Sequence, residues 1–137
     1  MKELYLQDQN WDIPELIGER CLSLFGLSLN GLKENPDILF LELSNGNWYR
    51  CFLDSYIGFW AETISNDLPT IIDIDFDTAT RFDYLKLFNL TQPEIRGISC
   101  TLDQEVFIVI DLENGSLEFR EYEKEDDAIC FIKYTNK

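Results

Sequence analysis

Two Asn-Gly dipeptides, Asn45-Gly46 and Asn114-Gly115, constrain this chain more than any other feature. The first lies between the apolar runs Ile38 to Leu43 and Asn47 to Leu53, the second between Val106 to Leu112 and Ser116 to Tyr122. Asn-Gly tolerates positive φ at both central positions of a type I′ turn, whose twist matches that of the flanking strands. The pattern therefore predicts two β-hairpins, about half the chain apart. Each is preceded by a further strand-like run, Cys21 to Leu29 and Ile95 to Leu102, so the halves read as two similar β-meanders.

Two-residue turns at these dipeptides would fix which side chains meet. In the first hairpin Trp48, Arg50 and Phe52 would share a face opposite Leu43, Leu41 and Leu39, with Arg50 against an aromatic ring. In the second, Asp111 would stand directly opposite Glu118, a carboxylate pair of the kind that acid–base chemistry uses. Thr70 to Phe76 alternates like another strand, and Ala128 to Tyr134 like a last one. Helical signals are fewer. Trp11 to Arg20 offers Asp12 as an N-cap with Pro14 and Glu15 behind it, and Asp77 to Phe88 carries Arg81, Leu85 and Phe88 at helical spacing. The expected class is α+β, mainly antiparallel sheet built from the two Asn-Gly hairpins or meanders, with one or two short helices packed on it. The four prolines are dispersed and no linker interrupts the pattern, so residues 1–137 read as a single globular domain.

Charge narrows the function. The chain carries 26 acidic and 11 basic residues, a net charge of −15, and no histidine. Without histidine there is no Ser-His-Asp or Cys-His nucleophile and no His-ligated zinc. Scattered bases on so acidic a chain argue against nucleic acid and against an anionic membrane surface. The four cysteines are far apart and sit in apolar stretches, which reads as reduced core thiols. The N-terminal residues lack the apolar core of a signal peptide, and no stretch approaches the length of a membrane span. The expectation is a cytoplasmic protein, without cofactor and without a catalytic residue.

The run Asp73-Ile74-Asp75-Phe76-Asp77 has the opening of a calcium loop, but Thr78 occupies the place of the required glycine and Tyr84 that of the bidentate glutamate. No metal site is expected there. The same aspartates lie in a window with no basic residue between Arg50 and Arg81, which also holds Asp54, Glu62 and Asp67. Aromatic density opens that window, with Trp48, Tyr49, Phe52, Tyr56, Phe59 and Trp60. Carboxylates beside aromatics suit a protein-binding face, and the candidate partner-binding residues are Asp54, Tyr56, Trp60, Asp73, Asp75 and Asp77. The reading is a small acidic, non-enzymatic protein-binding domain that recognises a basic partner. In size and acidity the chain resembles bacterial toxin-neutralising immunity proteins, and that resemblance implies a toxin-neutralising role. The alternative is a ligand-binding or carboxylate-dependent enzymatic domain, with Trp48, Tyr56 or Trp60 walling a pocket.

Overall fold

The computed structural model describes residues 5–63, 78–124 and 127–137. Most of them are in antiparallel sheet, so the described residues are mainly β, with one short helix. The strands are β1 (Tyr5–Asp8), β2 (Trp11–Asp12), β3 (Cys21–Ser28), β4 (Ile38–Leu43), β5 (Trp48–Asp54) and β6 (Ile57–Thr63). They continue with β7 (Thr80–Asp83), β8 (Ile95–Asp103), β9 (Glu105–Leu112), β10 (Gly115–Lys124) and β11 (Asp127–Asn136). A single turn of helix, α1 (Tyr84–Leu87), follows β7. The first sheet has the order β1-β6-β5-β4-β3-β7 and the second β11-β10-β9-β8-β2. Each is thus a four-stranded meander with short strands added at its edges. The expected strand over Thr70 to Phe76 lies outside the described residues.

Period-two patterning places the core between the sheets. From the first sheet Tyr49, Cys51 and Leu53 of β5 alternate inward with Leu39, Leu41 and Leu43 of β4. From the second, Val106, Ile108, Ile110 and Leu112 of β9 meet Leu117 and Phe119 of β10 in the same cluster. Gly58 of β6 lies close against Cys100 of β8, and its carbonyl accepts a 3.0 Å bond from Trp11 Nε1. β4 is buried on both faces, because Ile38 and Phe40 join Phe25 and Leu27 in a second cluster on the outer face of the first sheet. A central strand covered on both sides loses the polar–apolar alternation of a one-sided sheet.

Both turns differ from the two-residue Asn-Gly expectation. Between β4 and β5 the loop spans three residues, 44–46, with Gly46 at φ +88°. That is a turn closed by a left-handed glycine, and the extra residue slips the register by one. Trp48 therefore faces Glu42 and Arg50 faces Phe40, so the three inward leucines lie on the opposite face from Trp48, Arg50 and Phe52. The cation–π contacts are made by Arg81 over Phe25, at 3.8 Å, and Arg120 over Phe107, at 4.1 Å. Between β9 and β10 the turn is 113–114, one position earlier, and Asp111 pairs with Ser116 while Glu118 pairs with Val109. Gly115 sits in the strand instead, where a Cβ would run into the Thr135 carbonyl and the Tyr134 ring. The supposed carboxylate pair is separated, Asp111 meeting Lys137 at 3.4 Å and Glu118 meeting Arg120 at 3.0 Å.

The helical expectations shrink for a shared reason, strand pairing. Trp11 and Asp12 pair with Cys100 and Ser99 of β8, which leaves only a 3₁₀ turn at Pro14–Leu16, and Gly18 at φ +96° ends it. Thr80 to Asp83 pair with β3, and helix begins only after Asp83, whose carboxylate accepts the Lys86 amide. Among the described residues no helix is long and apolar enough to cross a membrane.

Candidate partner-binding site

Asp54 and Ile57 close the β5–β6 hairpin as a pair, leaving Ser55 and Tyr56 as its two turn residues. Their φ values are +51° and +64°. Both central residues of this turn are therefore left-handed, which is the geometry predicted for Asn-Gly but built here from Ser and Tyr. A side chain in that region costs about 1–2 kcal/mol per residue. The turn is held from below: the Tyr56 amide donates to Glu121 Oε1 at 3.3 Å, and the Ser55 hydroxyl donates to Asp54 Oδ1 at 3.2 Å. Tyr56 itself is exposed, two residues from Asp54 in the same hairpin.

Glu121 is the buried anchor of this end of the molecule, 8% exposed on β10. It stands opposite Cys130 of β11. Burial first, then repulsion from Glu121, Asp37 and Asp54, pushes the Cys130 thiol up to about 12. Of these three carboxylates, Glu121 is its cross-strand neighbour, while Asp37 and Asp54 come from other segments. Asp37 also accepts the Leu29 amide at 2.7 Å, and the Asn35 side chain donates to the Cys130 carbonyl at 2.9 Å, tying the loop before β4 to the edge of β11. The other thiols are raised as well, Cys21 to about 12 and Cys100 to about 11, chiefly by burial, so none of these three is a nucleophile near neutral pH.

No family model, curated protein or solved structure matches this chain. The site therefore rests on its own chemistry. Of the residues expected from sequence, Asp54 and Tyr56 are brought together on one turn. Trp60 is not with them: it is fully buried, stacked on Tyr49 at 5.5 Å and edge-on to Trp11 at 6.2 Å, a core residue with no surface to offer a partner. Asp73, Asp75 and Asp77 lie outside the described residues. Sequence reasoning missed Asp37 and Glu121. Asp37 carried no local signal. Glu121 did, because it continues the inward series Leu117, Phe119, Glu121 of β10, where an acid breaks the apolar alternation. Among the described residues no group of three metal-ligating side chains is arranged to hold a metal ion.

Proposed function

We propose that this chain is a small acidic, non-enzymatic protein-binding domain whose Asp54–Tyr56 turn recognises a basic partner, in the manner of the toxin-neutralising proteins its size and charge resemble. The observation that carries the reading is the left-handed Ser55-Tyr56 pair held by the buried Glu121. Strained non-glycine backbone persists only where its surroundings over-determine it, and such positions cluster at functional sites. An exposed tyrosine on a fixed turn supplies contact area at little cost in side-chain entropy. Asp54 in the same turn, with Glu121 bonded to the Tyr56 amide, gives that area a negative potential suited to Lys or Arg on the partner. Asp73, Asp75 and Asp77 would add to the same charge.

The test is affinity capture at low and high salt, followed by binding of the purified partner to variants. Tyr56→Ala should weaken binding by about tenfold or more, as an aromatic anchor does. Asp54→Asn and the triple Asp73→Asn, Asp75→Asn, Asp77→Asn variant should mainly slow association and flatten its salt dependence. A partner that binds all of these variants as tightly as the natural chain refutes the assignment of this face.

A further inference from the structure

At the opposite flank of the first sheet, β3 has an incomplete edge. β7 pairs with it only from Phe25 to Ser28, and the isolated bridge between Arg20 and Glu94 resumes pairing just before its start. Between those points Leu22 to Leu24 have β4 on one side and, among the described residues, no partner strand on the other. The ladder also shifts register between Cys21 and Ser23, an irregularity that leaves Leu22 exposed. Bulges are over-represented at sheet edges and beside functional sites.

A cavity of about 330 Å³ opens at this gap. Its walls are apolar where Leu22, Leu85 and Leu90 contribute, and polar at Ser23 and Thr91. Two cations, Arg81 and Lys86, converge on it. Among the described residues neither is in an ion pair, although the chain has more than twice as many acids as bases. Asp83 also lines the cavity, where its Oδ1 accepts the Lys86 amide at 3.2 Å; its carboxylate keeps its charge, so the two cations outnumber the one acid in the lining. The Arg81 guanidinium carbon lies over the Phe25 ring, 3.8 Å from its centre. A guanidinium over a ring face keeps N–H donors that can form a two-pronged bond to an anion.

We infer that this cavity binds a small organic anion, a carboxylate or phosphate carried on a compact apolar body. The head group meets the Arg81 edge and the Lys86 ammonium, and the body lies against the leucine walls. Paired strand at one end and the Arg20–Glu94 bridge at the other close the gap, so its length suits a small molecule rather than an added peptide strand. Nothing in this site overlaps the Asp54–Tyr56 turn.

Benzoate and phenyl phosphate serve as probes for the two head groups, with benzamide as the uncharged control. Titration followed by amide chemical shifts should move Leu22, Ser23, Leu24 and Thr91, saturably, with at least one of the two anions. Benzamide should bind about tenfold more weakly or not at all. Arg81→Gln and Lys86→Gln, both at exposed positions, should each weaken the anion by about tenfold while leaving the remaining spectrum unchanged. Preference for benzoate over phenyl phosphate, or the reverse, assigns the head group. Equal binding of benzamide, undiminished binding to a chain carrying both Arg81→Gln and Lys86→Gln, or shifts confined to other residues overturns the inference. So does failure of both anions to produce a saturable shift.

Discussion

Gly58 and Cys100 bring the two sheets into close contact, and their fit can be broken and repaired. A Cβ on Gly58 would stand 3.3 Å from the Cys100 Cβ and 3.4 Å from Trp11 Nε1, and would overlap the Cys100 sulfur outright. Cys100 cannot retreat, since β8 is paired on one side to Ile108 of β9 and on the other to Trp11 of β2. Overpacking of this kind costs about 1–3 kcal/mol. Against it, alanine restricts the unfolded chain and returns about 0.4–1 kcal/mol, so Gly58→Ala should lose a net 1–2 kcal/mol, roughly. Cys100→Ala removes one buried sulfur at a site 2% exposed and should lose about 1 kcal/mol. In the double variant the overlapping atom is gone and the new methyl fills its space. The combined loss should then fall short of the sum by about 1 kcal/mol or more. Urea unfolding measures all four proteins, read at constant m so that the midpoint reports stability alone. Additivity within about 0.5 kcal/mol, or no cost for Gly58→Ala, would refute the stacking of β6 on β8.

The Ser55-Tyr56 turn should show strain retained for function. Tyr56→Gly is expected to leave thermal stability unchanged or raised by up to about 1 kcal/mol, as left-handed strain is relieved against glycine's entropy, while partner binding falls; a loss of more than about 1 kcal/mol would make the ring a structural element instead. The thiols predict an alkaline limit. Cys21 and Cys130 are pushed up to about 12 and Cys100 to about 11, from an ordinary value of 9.0, so above pH 9 the unfolded chain releases protons that the native state keeps. Stability should be insensitive to these thiols below pH 9 and fall above it by about 1.4 kcal/mol per pH unit for each, and Cys130→Ala should make the fall in urea midpoint shallower.

Strands were legible in the sequence wherever apolar residues alternated over seven or more positions, as in β5 and β9, because one buried face imposes that period on any chain. Registers were not. Asn45-Gly46 does turn the chain, but the left-handed glycine closes a three-residue loop, and one additional residue was enough to exchange the faces. At Asn114-Gly115 the glycine is needed for the close approach of Tyr134, a contact made by a strand that follows β10, which no local pattern can announce. The helices shrank for the same non-local reason. The capping signal at Asp12 and the helical spacing of Arg81, Leu85 and Phe88 describe what an isolated segment would prefer, whereas edge pairing with β8 and β3 decides what those segments do. In the site, Asp54 and Tyr56 could be read because they fall together in sequence. Trp60 could not be separated from them until the register put it on the inward face of β6, opposite Cys51.

Net charge is a poor description of this molecule, because its few bases are not spread in proportion to its acids. Arg20, Arg96, Arg120 and Lys137 are taken up by Glu113, Glu94, Glu118 and Asp111, all of them on or beside β8 to β10. These pairs are partly exposed and are worth little individually. Their effect on the surface is larger, since they neutralise one flank and reach neither Asp37 nor Asp54. Asp37 and Asp54 are in none of these four pairs, and neither are Arg81 and Lys86 at the gap in β3, where Asp83 stands with them. A uniformly acidic surface would repel every anion and attract every cation without discrimination. The two proposed sites differ in both charge and backbone: left-handed Ser55 and Tyr56 next to Asp54 at one, and at the other a stretch of β3 edge with no partner strand among the described residues, lined by Arg81, Lys86 and Asp83.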